Sequence, residues 1–164
     1  MRPVPHISAE GASQSWRDYA LKGDYGKAYL ELNERGKGGV RDEPADLMLA
    51  ADVARLSSHP GDAVAPLRKL CERHAADKRA PIAAFTLGRV LLDDLGRAAE
   101  AASFFEKART LWPAGPIAQE ALAREAEAHK RARNLPRAQA LAGQYLRQYP
   151  QGAYAAVMQK MLAP

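Results

Sequence analysis

Residues 81–113 have the sequence PIAAFTLGRVLLDDLGRAAEAASFFEKARTLWP, and this stretch decides the fold. Apolar residues recur at helical spacing on both sides of residues 95–97, where a glycine favours a tight turn. A proline suits the first turn of a helix, whereas a proline further along ends one. The stretch therefore predicts helix A over about 81–94, a turn, helix B over about 98–111, and a stop at Pro113.

The same pattern recurs along the chain at a nearly constant interval. The motif Pro-Ile-Ala at 81–83 occurs again 35 residues later at 116–118, and Trp-Pro-Ala-Gly at 112–115 has a counterpart, Tyr-Pro-Gln-Gly, at 149–152. An alanine near the start of each predicted helix B recurs at intervals of 35, 38 and 37 residues: Ala28, Ala63, Ala101 and Ala138. A period of this length is typical of helical-repeat architectures.

Four helix pairs and one further helix account for residues 13–162, which we predict to form a single domain. The predicted units are 13–35, 44–75, 80–113 and 116–150, followed by a capping helix over 152–162. We predict that residues 1–12 form a flexible lead-in, which would be expected if the chain is a piece of a longer protein. The linker Gly36-Lys37-Gly38-Gly39 predicts a flexible joint between the first and second units.

Composition supports an all-α chain. Valine, isoleucine and threonine together contribute only 11 of the 164 residues, and helix-forming residues dominate. The formal charge of +5 raises the question of an anionic partner, but acidic residues lie near each basic group, which favours a solvated helical surface. No apolar run approaches the roughly 18 residues of a transmembrane helix, so we expect no membrane span.

At Leu87-Gly88, Ala101, Phe105, Ala108 and Pro113 the chain resembles the tetratricopeptide repeat family, with one extra residue near the turn. The resemblance implies an all-α, right-handed solenoid of about four helix pairs closed by a C-terminal capping helix. Its A helices would line a concave face that binds a protein or peptide. The fourth unit departs from the pattern, with Ala142 at the aromatic position and Tyr145 at the alanine position that follows.

Transferring the family's groove positions to this chain gives nine residues that would contact a partner: Arg17, Asp52, Arg55, Phe85, Arg89, Asp93, Glu127, Lys130 and Arg131. Their charges alternate in sign, which favours a peptide with both charges and an apolar anchor over a uniformly anionic polymer. Most aromatic residues fall at core positions, and Phe85 is the one that we expect to face the groove. A charged, solvated face without a ligand is the simpler alternative.

No cluster in the sequence forms a complete catalytic or metal site. Cys71 and His74 stand three residues apart and could supply two zinc ligands, but a structural site takes four and a catalytic site three. The glycine linker lacks the earlier glycine and the following serine or threonine of a phosphate-binding loop. We therefore expect a protein that is not an enzyme and that holds no cofactor and no metal.

A narrower resemblance concerns cellular context. The stretches Ala50–Leu56, Ala83–Arg89 and Tyr149–Gly152 look like the C-terminal repeats of FecR-like bacterial envelope sensors. This resemblance implies a periplasmic or extracytoplasmic scaffold in envelope signalling or assembly, with a cytoplasmic adaptor as the alternative location. The alternative function is a basic helical-repeat protein associated with nucleic acid, although the interspersed acids make nucleic acid an unlikely partner.

Overall fold

The computed structural model describes residues 15–35 and 39–163, and every regular element in these two ranges is helical. A 3₁₀ turn, Pro60–Ala63, leads into the fourth helix, and a π-helical turn, Val90–Asp94, follows the fifth. The described ranges contain nine α-helices: α1 (Trp16–Leu21), α2 (Tyr25–Arg35), α3 (Pro44–Leu56), α4 (Val64–Arg73), α5 (Ala80–Arg89), α6 (Ala98–Leu111), α7 (Ala118–Arg131), α8 (Leu135–Gln148) and α9 (Ala155–Leu162). The expectation of an all-α chain is confirmed for these ranges. The expected lead-in, 1–12, and linker residues 36–38 lie outside them.

Each helix packs against the helices that precede and follow it in sequence. Buried apolar side chains form three clusters in chain order. The first surrounds Trp16, the second surrounds Leu67 and Phe105, and the third surrounds Tyr145 and Met158. The core is thus distributed along the chain, which gives the protein a helical repeat-like organisation.

Four residues with a left-handed backbone close the helix hairpins: Gly23 (φ 80°), Ser58 (φ 67°), Gly96 (φ 66°) and Arg133 (φ 61°). Their intervals of 35, 38 and 37 residues equal those between the four recurring alanines. Each alanine follows its left-handed residue by five positions and is 0% exposed. A side chain larger than a methyl group at these positions would force the paired helices apart.

Three of the turns share one hydrogen-bond pattern, the Schellman motif, which satisfies carbonyl groups at a helix C-terminus. In each, the residue after the left-handed one donates its N–H to the carbonyl oxygen five residues earlier: Asp24 to Tyr19, His59 to Ala54, and Asn134 to His129. The third turn differs, because Arg97 donates to Leu91, six residues earlier, at 2.7 Å. The extra residue that the sequence places near this turn is therefore accommodated by the π-helical turn Val90–Asp94.

The three loops that lead into α5, α7 and α9 share one hydrogen-bond pattern. Each contains a residue whose N–H donates to the carbonyl oxygen three residues earlier: Asp77 to His74, Gly115 to Trp112, and Gly152 to Tyr149. The first residue of the next helix then donates to that same residue: Ala80 to Asp77, Ala118 to Gly115, and Ala155 to Gly152. The capping helix expected over 152–162 therefore starts at Ala155, and α9 begins as α5 and α7 begin.

The best-matched hairpin is held by a ring packed on a glycine. A Cβ atom on Gly88 would lie 2.8 Å from Cε1 of Phe105, so only glycine allows this approach. Phe105 is 0% exposed and meets the Phe85 ring in an edge-to-face contact with the centroids 5.6 Å apart. In the fourth hairpin, Ala142 and Tyr145 are both fully buried, so the aromatic ring fills the core one helical turn later.

Phe105→Ala should lower the free energy of unfolding by about 3–5 kcal/mol, because the surrounding helices cannot collapse fully onto the space left by the ring. Urea unfolding followed by circular dichroism measures the loss. Ser103→Ala, at an exposed position on the same helix, is the matched control and should change stability by less than about 0.5 kcal/mol. A loss below about 1 kcal/mol for Phe105→Ala would contradict this packing.

Candidate functional site

Side chains of α7 and of the π-helical turn that follows α5 form one ion-pair cluster. Arg124 donates to the carboxylate of Asp93 and, at 2.5 Å, to that of Glu127. Arg131 pairs with Glu127 at 2.5 Å and with Asp93 at 3.8 Å. The cluster contains two positive and two negative groups, so its charges largely cancel while it fastens α7 to the end of α5.

Arg124 lies at the centre of this cluster and is not among the nine residues predicted from the sequence. Its side chain is 16% exposed, and its guanidinium carbon lies 5.7 Å from the centre of the Phe105 ring. Burial lowers the pKa of Arg124. The hydrogen bond to Asp93 and the charge of Glu127 raise the pKa by more than burial lowers it, so the pKa lies above its usual value. The spacing of Arg124 three residues before Glu127 was the available signal.

Arg89 and Lys130 differ from their neighbours in the cluster because both are exposed and uncompensated. Arg89 lies four residues before Asp93, and Lys130 lies three after Glu127, so helical spacing places both beside the cluster. Neither forms an ion pair with any residue in the described ranges. These two cations therefore remain available to a partner.

Arg17, in contrast, is engaged within the chain. Its guanidinium binds the Asp46 carboxylate through Nε at 2.6 Å and through Nη2 at 2.5 Å, which joins α1 to α3. Arg17 Nη2 and Trp16 Nε1 both donate to the carbonyl oxygen of Gly39, and Arg41 N–H donates to Asp46 at 2.6 Å. The described end of the linker is thus held against the first hairpin.

Asp52 and Arg55 form an ion pair on α3, with 2.9 Å between Oδ1 and Nη2. Each side chain is about one-third exposed, and Nε of Arg55 is buried without a hydrogen-bond partner in the described part of the chain. Leu56, the next residue, is 52% exposed. This part of α3 therefore combines an exposed apolar side chain with a compensated charge pair.

Phe85 does not face a groove as we expected. Only 8% of the residue is exposed, and its ring packs edge-on against Phe105 inside the hairpin. The physical reason is the helical spacing, since the stripe that is more exposed on α5 passes through Ile82, Thr86 and Arg89 instead. Ile82, at 41% exposed, is the large apolar side chain that α5 presents to solvent.

Two exposed leucines on the first helices of the hairpins occupy equivalent positions. Leu21 and Leu56 each stand two residues before the left-handed residue of their turn and are 79% and 52% exposed. The equivalent position in the fourth hairpin is Arg131. Apolar groups on α1 and α3 thus correspond to charged groups on α7.

The groups considered for metal or nucleophilic chemistry have other roles. Cys71 is fully buried, and burial raises the pKa of its thiol to about 11, so the thiolate is not available near neutral pH. His74 Nε2 lies 2.9 Å from Asp42, whose carboxylate also pairs with Lys69 and Arg73. These hydrogen bonds, led by that of His74, lower the pKa of Asp42. Residues 15–35 and 39–163 contain no group of three or more potential metal ligands.

The geometry defines the class of protein as a helical repeat-like, all-α chain, and none of the helices in its described ranges is long and apolar enough to span a membrane. Comparison with protein-family models, with curated proteins and with solved structures finds no match in any of the three.

Arg17→Ala should destabilise the protein by about 1–3 kcal/mol at pH 7, because it leaves the 7% exposed Asp46 without its charged donor. Burial raises the pKa of Asp46, but hydrogen bonds from Arg17 and the Arg41 N–H outweigh it, so the net pKa lies below its usual value. The pair therefore stabilises the fold above about pH 4, and this stabilisation disappears as the pH falls through the folded-state pKa.

Urea unfolding of the wild type and Arg17→Ala at pH 7 and near pH 2.5 measures this difference, which should shrink at the lower pH. Lys27→Ala is the control, because its ion pair with Asp24 is exposed and its loss should change stability little at either pH. An equal cost of Arg17→Ala at both pH values would contradict a charge-assisted pair.

Proposed function

We propose that this chain is a tetratricopeptide-like scaffold that binds a protein or peptide and does not catalyse a reaction. One observation carries the proposal: the left-handed turn residues and the fully buried alanines recur together at 35, 38 and 37 residues. A common hairpin geometry repeated at this interval supports stacking of the four hairpins into a right-handed solenoid. The Leu87-Gly88 and Phe105 packing supports the same family resemblance.

Contacts between alternate helices further support this stacking. Arg17 links α1 to α3, and Arg124 links α7 to the end of α5, so first helices contact first helices. Arg68 links α4 to α6, and Arg137 links α8 to α6, so second helices contact second helices. A stack of hairpins in register has this contact pattern, with first helices on one face and second helices on the other.

The proposed partner-binding face is the one that carries α1, α3, α5 and α7. Its exposed apolar side chains include Leu21 and Leu56, and its uncompensated cations are Arg89 and Lys130. These groups suit a peptide with an apolar anchor and a carboxylate group. The neutral cluster around Arg124 would position α5 and α7 and contribute little direct binding energy, because its charges already have partners. The FecR-like resemblance supports a role in bacterial envelope signalling or assembly, outside the cytoplasm.

Arg89→Ala and Lys130→Ala should each weaken binding of the cognate protein by roughly 1–3 kcal/mol, the range of moderate to strong interface residues. Their fold should be unaffected, because neither side chain has an ion-pair partner in the described ranges. A photo-cross-linking amino acid at position 82, which is exposed on the same stripe of α5, would identify the partner in cells, and calorimetry with the purified partner would measure the affinities.

Lys107→Ala, which removes a cation from α6 on the opposite set of helices, is the matched control and should leave affinity unchanged. Phe85→Ala is unsuitable as a binding probe because its ring packs in the core. Unchanged affinity in both surface variants would overturn the proposed face. Binding to DNA or RNA that falls steeply with salt and is lost in Arg89→Ala would instead favour nucleic acid.

A further inference from the structure

The second helices of the hairpins, α2, α4, α6 and α8, contact one another in succession, α4 together with the 3₁₀ turn that precedes it. An ion pair recurs at equivalent positions in two of these contacts and is absent from those positions in the third, among the described residues. Counting from the left-handed residue of each turn, position 10 of one hairpin faces position 4 of the next. Between α4 and α6 these positions hold Arg68 and Glu100, which form an ion pair. Between α6 and α8 they hold Glu106 and Arg137, which pair at 3.4 Å with the charges exchanged.

Position 8 of the following hairpin holds a large apolar residue in both later hairpins. Phe104 occupies it in α6, where the guanidinium carbon of Arg68 lies 5.2 Å from the ring centre. Leu141 occupies it in α8, where it is 1% exposed and packs with the buried side chains of α7, α8 and α9. The contact between α4 and α6 therefore combines an ion pair with a large apolar group.

The contact between α2 and the segment that begins with the 3₁₀ turn lacks two of these three groups. Position 10 is Asn33, which carries no charge, and position 8 is Pro66, which is smaller than phenylalanine or leucine. Position 4 is Asp62, so the acidic group of the ion pair is present. Asp62 accepts a hydrogen bond from the Tyr29 hydroxyl and has no cationic partner in the part of the chain that the structure describes.

A cavity of about 470 Å³ lies where these groups are missing. Asn33, Asp62 and Tyr29 form its polar side, and its volume lies within the range of ligand-binding pockets in proteins. At the other side, Lys69 already pairs with Asp42 at 3.0 Å. Its apolar wall comes from the helices on both sides of the gap: Leu32, Val40, Leu47, Ala54, Ala65 and Pro66.

We propose that this cavity is a second binding site, which takes a partner peptide that presents an arginine or lysine beside a phenylalanine or leucine. The cation would pair with Asp62 as Arg68 pairs with Glu100, and the apolar side chain would occupy the space that Phe104 fills in the next contact. Charge complementarity selects this occupant, because the cavity retains the acid of the pair and lacks its cation. The site is independent of the face proposed above, since second helices contribute much of its lining.

Three short peptides test the chemistry by titration into ¹⁵N-labelled full-length protein. The probe acetyl-Phe-Arg-amide should shift the backbone amide resonances of Ala54, Asp62 and Ala65, with a dissociation constant on the order of millimolar for so small a ligand. Acetyl-Phe-Glu-amide reverses the charge, and acetyl-Ala-Arg-amide removes the apolar group, so each should bind at least about fivefold more weakly. Equal binding of all three peptides would overturn the proposal.

Variants of the chain test the site itself. Asp62→Asn keeps the shape of the cavity and should weaken acetyl-Phe-Arg-amide at least about threefold while leaving acetyl-Phe-Glu-amide no weaker. The double variant Asn33→Arg/Pro66→Phe supplies both missing groups from within the chain and should abolish binding while raising the unfolding midpoint. Asn33→Arg alone, at an exposed position, should also compete for Asp62 and tests the proposal if the double variant does not fold.

Three outcomes would exclude this site. The first is unchanged affinity for acetyl-Phe-Arg-amide in both Asp62→Asn and Asn33→Arg. The second is a set of shifted amides confined to α5 and α7, and the third is a concentration-dependent dimer that the cavity variants abolish, which would make a second copy the occupant. Arg89→Ala should bind the peptide as the wild type does, so failure of the first-helix binding face and failure of this cavity are distinguishable.

Discussion

The structure depends on a steric constraint at four points, where one helix reverses into the next through a single left-handed residue. Glycine adopts this backbone at little cost, and Gly23 and Gly96 do so here. Ser58 and Arg133 carry side chains in the same conformation, which costs each of them roughly 1 kcal/mol. The packing of the two helices offsets this cost, because the turn brings them so close that alanine is the largest residue that fits between them.

Charged side chains also take part in the contacts between hairpins. Glu125 shows how these contacts work: it is fully buried, and its carboxylate binds Arg109 at 2.5 Å and Arg137 at 3.4 Å. The pair with Arg109 raises the pKa of that guanidinium, chiefly through the hydrogen bond. One buried carboxylate thus joins α6, α7 and α8 through ion pairs.

The sequence predicts the spacing of the hairpins well, because glycine is favoured at the turns and only a small residue fits between the paired helices. Gly23, Gly96 and the four alanines are recognisable without a structure, and α6 begins and ends where the pattern predicts. The extra residue near Gly96 could be counted, but its accommodation as a π-helical turn depends on tertiary packing. The capping helix starts at Ala155, three residues later than predicted, because a hydrogen-bonded turn precedes it.

The candidate site was less predictable, because position on a helix does not say whether a charge already has a partner. Arg17 and Arg89 were predicted on the same grounds, yet one binds Asp46 and the other is exposed without an ion-pair partner in the described ranges. Arg124 was overlooked because its partner Asp93 is 31 residues away in sequence. Phe85 faces the core because a helix turns by about 100° per residue, which brings the neighbouring Ile82 and Thr86 stripe outward.

The burial of Cys71 has a practical consequence for observing the chain in motion. It is the one cysteine in the sequence, and its sulfur lies between α4 and α5, where its thiol faces the carbonyl oxygen of Ala80 at 3.9 Å. A thiol reagent can reach it only after these helices separate, because the residue has no exposed surface. The rate of labelling in the absence of denaturant therefore reports the free energy of separating α4 from α5, without any engineered probe.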